Sequence, residues 1–262
     1  MRPSDVRQVL TNALAVTVAM AIDTAGGPAA ELADHAGAPF AVVELFTSEG
    51  CSSCPPADRV LAEIAVAARR DGRRVFPLSF HVDYWDRLGW RDPFGDPAHA
   101  RRQSLYAGAF ESRYTPQVVV NGGESFVGSD AARAARSIEA ALARPAQVGV
   151  RIRFESIAAD SVRVHWETST SPRHADLHCA LVERGLTSAV RRGENGGRTL
   201  LHENVVRVFR TSPLAKSTSG RMTLALPAGV RSENAAAVVY VQDSRGHAIL
   251  GAAMADFPTG SR

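Results

Sequence analysis

The sequence predicts an α/β domain followed by an all-β, sandwich-like domain. The chain has 262 residues, and a typical domain of about 150 residues makes two domains the first expectation. Residues 41–142 alternate short apolar runs with helical periodicity, in the order strand, helix, strand, helix, strand, strand, helix. Beyond residue 147 helix-length periodicity stops, and about seven short strands follow with turn residues between them. Hydrophobic residues at 45% and charged residues at 22% are an ordinary globular balance. They exclude collagen-like, coiled-coil and wholly disordered chains. Three cysteines are too few for a disulfide scaffold. The boundaries expected are 1–38 for a leader, 39–145 for the first domain and 146–262 for the second.

The leader begins with Arg2 and Arg7 and continues into an apolar run over residues 9–22, broken by Thr11, Asn12 and Thr17. That run is shorter than the roughly 20 residues a bilayer span requires. A basic start, a short apolar stretch and Ala19-Met20-Ala21 as a small-x-small site have the form of a secretory signal, with Pro28-Ala29-Ala30 as a second cleavage end. An amphipathic or frayed leader is the other reading. Residues 23–38 read as a flexible lead-in. The protein is therefore expected to be periplasmic or secreted, with no stable membrane span.

In the first domain, residues 41–47 form a nearly continuous apolar run, as a buried parallel strand does. Ser48-Glu49-Gly50 turns the chain. Pro55 and Pro56 are tolerated only in a first helical turn, so the helix starts at the cysteines. Val60, Leu61, Ile64, Ala65 and Ala68 share one face of it, and Gly72 ends it. Residues 75–82 are a second buried strand, joined to the first by a right-handed crossover. A long segment with Tyr84, Trp85 and Trp90 leads to a helix over residues 97–110. A strand over residues 117–121, a turn at Asn121-Gly122-Gly123 and a return strand over 124–127 form a hairpin. Ser129 or Asp130 caps a last helix, which buries Ala134, Ile138, Ala141 and Leu142 and ends before Pro145. The seven later strands cover residues 148–154, 161–168, 175–183, 200–209, 221–226, 235–242 and 249–253.

Charge excludes one class of partner. Lys216 is the only lysine, so 29 of the 30 basic residues are arginine, and the net charge is only +3. The densest group, Arg69, Arg70, Arg73 and Arg74, falls at a helix end, where cations suit the dipole. No basic stripe exists for nucleic acid.

The strongest chemical signal is Cys51-Ser52-Ser53-Cys54 between a buried strand and a helix start. A thiolate attacks disulfides, and unpaired backbone N–H groups with the helix dipole stabilise that anion. Cys51, the outer residue, is the expected nucleophile. Cys54, one turn in, is the expected resolving thiol. The pair holds both electrons, so no organic cofactor is expected. Pro116, after Tyr114-Thr115 at a strand start, would cost a ladder bond in an ordinary strand. A cis Thr115–Pro116 bond would turn its backbone toward the cysteines to pair with an extended substrate. Glu44, seven residues before Cys51, is a candidate proton acceptor for Cys54, a buried strand carboxylate. An edge position paired with an arginine is the competing reading. Tyr84 and Trp85 are candidate substrate contacts, or packing groups for their loop.

These features together resemble a thioredoxin-like domain over residues 40–143. The stretch Phe46-Thr-Ser-Glu-Gly-Cys51-Ser-Ser-Cys54-Pro-Pro56, with His81-Val-Asp-Tyr-Trp-Asp86 and Gly193-Glu-Asn-Gly-Gly-Arg198, is similar to a bacterial family catalogued only as a domain of unknown function. The thioredoxin-like resemblance implies attack by Cys51, resolution by Cys54, a cis-proline at Pro116, and Glu44 as the strand acid if the turn holds one extra residue. Thioredoxin itself has tryptophan before the first cysteine and Gly-Pro between the two. Gly50 and Ser52-Ser53 stand here instead, which separates the chain from a simple cytosolic reductase, because the intervening pair helps set the potential.

His81 and Asp83 alternate near the end of the second strand, to tune the thiolate or to anchor the aromatic loop. A closed zinc site lacks its second ligand pair, so no metal ligands are assigned, whereas Cu(I) needs fewer. Cys179, between Leu177 and Leu181, reads as a buried inert thiol. The Gly193–Arg198 stretch is either a long hairpin connection or a loop reaching the thiol site, and His165, His174, His178, His202 and His247 have no ligand spacing. Three functions follow. The leading one is an exported thiol–disulfide oxidoreductase acting on protein thiols or disulfides and served by a redox partner. The others are a copper-handling protein using the same cysteines and a non-catalytic binding protein with a structural disulfide.

Overall fold

The structure is a computed structural model that describes residues 37–110 and 112–258. The expected signal-like leader lies outside the described residues. The elements run β1 (Ala41–Thr47), α1 (Pro55–Arg70), β2 (Val75–His81), α2 (Pro97–Tyr106), β3 (Gln117–Val120), β4 (Glu124–Val127) and α3 (Ala131–Leu142). They continue with β5 (Val150–Ile157), β6 (Ser161–Thr168), β7 (Ala175–Glu183), β8 (Leu186–Ala189), β9 (Thr199–His202), β10 (Val205–Pro213), β11 (Ser219–Ala225), β12 (Ala235–Asp243) and β13 (Ile249–Asp256). Local signals explain the termini. Pro55 sits in the first turn of α1, and Gly72, at φ 61°, follows its C-cap Asp71. Asp96 and Asp130 cap α2 and α3 through their carboxylates.

The expectation of a thioredoxin-like domain followed by a separate β-sandwich does not hold. One mixed eight-stranded sheet, ordered β13-β12-β7-β10-β2-β1-β3-β4, runs through both halves of the chain. β1 pairs parallel with β2 and antiparallel with β3, and β3 with β4. The outer edge of β2 does not end the sheet. β10 joins it in parallel at Val205–Ser79, and β7, β12 and β13 follow antiparallel. Asn204 makes this junction. At φ 50° it breaks the single strand expected over 200–209 into β9 and β10, a conformation asparagine tolerates better than most residues. Its backbone O accepts from Ser79 N and its Nδ2 donates to Pro77 O, each at 2.9 Å.

The cores ignore the expected boundary as well. On one face of the large sheet, Val42, Phe46, Leu78 and Phe80 form a single cluster with Ala180, Val182, Val206, Val238 and Tyr240. Phe80 stacks on Phe46 and meets Phe209 edge-on at 5.2 Å. Because strand side chains alternate, the intervening residues face the other way. There α1 and α3 cover Ala41, Val43 and Leu45. The small sheet β11-β6-β5 packs its Val150, Val162 and Val164 over Leu177, Leu181 and Val239 in a neighbouring cluster. A fully buried Phe or Leu side chain is worth about 1.5–3 kcal/mol, so cutting the chain at residue 145 would expose several such contributions on β2 alone.

The candidate thiol site

β1 delivers the chain to a buried turn. Gly50 is required there, because a Cβ would lie 2.9 Å from Trp85 Cβ. Cys51 N donates to Ser48 O and Cys54 N to Cys51 O, each at 3.2 Å, so the four residues close into a tight loop. Cys54 is the N-cap of α1, and its carbonyl accepts from Ala57 N and Asp58 N. Cys51 and Cys54 form a disulfide with a Cα–Cα distance of 5.4 Å. Both cysteines are 0% exposed, whereas Ser52 and Ser53 face solvent.

The Thr115–Pro116 peptide is cis and lies against the pair. Thr115 Oγ1 is 3.4 Å from Cys51 Sγ. Trp85 Nε1 donates to the same hydroxyl at 2.8 Å. An indole N–H only donates, so the Thr115 hydroxyl keeps its own hydrogen for the sulfur. Ser53 Oγ is also 3.4 Å from Cys51 Sγ. Tyr84, by contrast, donates to Gln103 Oε1 at 3.1 Å and packs its loop against α2.

Beneath the turn is a buried polar cluster that sequence reasoning did not assemble. Glu49 is its hub: Oε1 meets His202 Nε2 at 3.0 Å, Oε2 accepts from Trp90 Nε1 at 2.7 Å, and its N–H donates to Asp92 Oδ2 at 2.8 Å. Asp92 Oδ2 also meets His81 Nδ1 at 2.8 Å, which anchors the aromatic loop to the end of β2. Burial opposes charge on both partners of this pair. Even so, Asp92 and then Asp58 and Glu49 raise the His81 imidazolium above its ordinary range, and His81 holds Asp92 down at about 2. His81 and His202 meet edge-on with ring centroids 4.9 Å apart. His81 Nε2 and His202 Nδ1 carry no hydrogen bond.

Asp58 completes the cluster. It is 7% exposed, accepts from Thr47 Oγ1 at 2.8 Å, and burial pushes its carboxyl up against the pull of His81 and His202. It stands four residues after Cys54 at the start of α1, so the two side chains share a helix face with Cβ atoms about 5–6 Å apart. Glu44 is elsewhere and fully engaged. Its oxygens accept from Arg102 Nε and Nη2 at 3.0 and 3.1 Å, from Tyr240 OH at 2.9 Å, and from Tyr106 OH. The competing reading of Glu44, an arginine-paired carboxylate, describes its contacts, but in the interior and not at an edge. Cys179 is buried and unpaired, and burial pushes its thiol up to about 12.

Among the described residues, no group of three or more His, Cys, Asp or Glu is placed to hold a metal ion. No described helix is long and apolar enough to cross a membrane.

The family model described as "Protein of unknown function (DUF1223)" matches residues 42–242. The chain belongs to this family. That match spans the cysteine turn, the aromatic loop and the Gly193–Arg198 stretch of this DUF1223 protein. Among solved structures it is similar to a structural-genomics crystal structure of a protein from Agrobacterium tumefaciens, at 28% identity and a TM-score of 0.59, covering 85% of this chain and 96% of that one. A domain of the outer membrane lipoprotein Omp28 from Porphyromonas gingivalis also matches, at 13% identity and a TM-score of 0.27, over 43% of this chain and 88% of that one. No curated protein matches the DUF1223 chain.

Proposed function

We propose that this DUF1223 protein is an exported thiol–disulfide oxidoreductase that works on protein thiols or disulfides in the periplasm or outside the cell. The observation that carries the reading is a disulfide at a helix start whose outer sulfur accepts from the Thr115 hydroxyl. In the reduced protein the Cys51 thiolate attacks a substrate disulfide. The substrate S–S bond breaks, one substrate sulfur leaves as a thiolate, and a mixed disulfide joins Cys51 to the other. Cys54 then loses its proton and attacks Cys51 Sγ, releasing the second substrate thiol. The protein dithiol is oxidised to the Cys51–Cys54 disulfide and the substrate disulfide is reduced to two thiols. A separate dithiol partner restores the reduced form, and with an oxidising partner the same steps run in reverse.

Resolution needs a proton acceptor for Cys54. Asp58 suits this task better than Glu44, because it sits one helical turn away and carries a carboxyl made more basic by burial. Glu44, bound by Arg102 and two phenols, is assigned to holding the sheet together. Trp85, half-buried beside Thr115, offers an apolar contact to an arriving chain.

The test is a pair of cysteine variants in the exporting cell. Cys51→Ser should abolish exchange, and Cys54→Ser should accumulate mixed disulfides with partner proteins that a small dithiol releases. Absence of both effects would leave the disulfide as a structural staple.

A further inference from the structure

Cys51 is fully covered, yet the residue after it is exposed. The chain that lies over this turn comes from far downstream, in the connection between β8 and β9. Asn195, 0% exposed, donates from Nδ2 to both Glu49 O and Cys51 O at 2.9 Å. Arg198 Nη1 steadies it by donating to Asn195 Oδ1 at 2.8 Å. Beside it Glu194, an exposed carboxylate, accepts from Ser52 N at 2.9 Å. The loop is braced internally by Gly196 N to Gly193 O, Gly197 N to Val190 O and Arg198 N to Asn195 O. A Cβ at Gly193 would lie 3.1 Å from Trp90 Cβ. The strap is thus docked on the turn through one buried amide and one charge.

We infer that this strap is a latch read by the redox state of the cysteines, with Glu194 as the positioning residue that couples the two. The inference rests on the thiol-exchange reading and concerns regulation of the same pair. In the disulfide form Cys51 Sγ is neutral, and Glu194 holds the Ser52 amide without competition. In the reduced form a Cys51 thiolate draws on the donors of the same turn and repels the carboxylate beside it. The other titratable and charged groups around the turn are Glu49, Asp58, His81, Asp92 and His202 below, and Arg198 on the strap. Reduction therefore loosens the strap. Coupling is reciprocal, so a docked strap favours the disulfide by the same factor and keeps the Cys51 thiol less acidic. Opening then uncovers Cys51 in the form that attacks substrate.

The test uses the full chain and three readouts: the glutathione equilibrium of the pair, the thiolate absorbance of Cys51 against pH, and hydrogen exchange of the 190–198 amides in both redox states. At roughly 5 Å in water-like surroundings one charge moves a neighbouring pKa by about half a unit. Glu194→Gln should thus lower the Cys51 pKa by about that amount and shift the glutathione equilibrium about threefold toward the dithiol. The difference should shrink as salt rises. In the wild-type chain the amides of Gly196, Gly197 and Arg198 should exchange faster after reduction. This arm needs no variant to fold. A wild type that equilibrates with glutathione, matched by Glu194→Gln and with strap exchange unchanged by reduction, overturns the latch alone. A wild-type pair that never equilibrates with any dithiol overturns the exchange reading and the latch with it.

Discussion

On the proposed thiol-exchange reading, Thr115 and Asp58 divide the work of the cysteine pair between its two sulfurs. The Thr115 hydroxyl, oriented by Trp85, gives its hydrogen to Cys51 Sγ. A donor to the charged form favours it, so Thr115→Val should raise the Cys51 pKa and Thr115→Ser should restore it, read by thiolate absorbance. In the same proposal Asp58 serves the other sulfur. Asp58→Asn should slow release of the mixed disulfide by about 100-fold while leaving its formation fast, measured by acid quench and mass spectrometry. Cys51, Cys54, Thr115 and Pro116 were legible as residues that share a neighbourhood, because each has a local signature: a spacing, a helix start, a proline at a strand start. The acid was not. Glu44 and Asp58 are both carboxylates near the motif, and only three-dimensional contacts distinguish the one held by Arg102 from the one that accepts from Thr47 at the start of α1. His202 was invisible for the same reason, since ligand spacing tests neighbours in sequence and its partner Glu49 is 153 positions away.

The aromatic segment between β2 and α2 is an element held by charge. His81 carries its imidazolium above the ordinary range, so the stabilisation from this shift is complete below the unfolded value of 6.5 and is lost as pH rises through the raised one. Asp92 is depressed from 3.8 to about 2, so its share is complete above 3.8 and is lost as pH falls through about 2. The protein should therefore be most stable between about pH 4 and 6.5 as far as this pair decides. Asp92→Asn should cost about 2 kcal/mol in that window, measured by denaturant titration, with the loss shrinking in acid. Helices and most strands were readable at this scale because periodicity and capping are local. β8 and β9 were not. They form a small two-stranded sheet, and the apolar stretch over 200–209 conceals the break at Asn204.

The whole chain behaves as one cooperative unit if the large sheet is as continuous as its pairing. Heat or denaturant should unfold it in a single transition by both far- and near-ultraviolet probes. A fragment of residues 39–145 should expose the edge of β2 and the Phe46–Phe80 face and aggregate. Arg102→Met should cost about 3–5 kcal/mol, because Arg102 also donates to Gln242 Oε1 at 2.6 Å and so ties β12 to α2 and β1. None of this was readable from pattern. A strand's alternation tells which face is apolar but not which strand lies beside it, and Val205 beside Ser79 is a choice made across more than a hundred residues.

The stretch from β8 to the start of β10 therefore supplies three things at once: Asn195 above the disulfide, His202 below it, and Asn204 stitching the sheet together. An engineer who transplanted the eleven or so residues around Cys51 onto another scaffold would carry across the sulfurs without their roof or their floor, and the graft should titrate like a solvent-exposed dithiol of about 8.5.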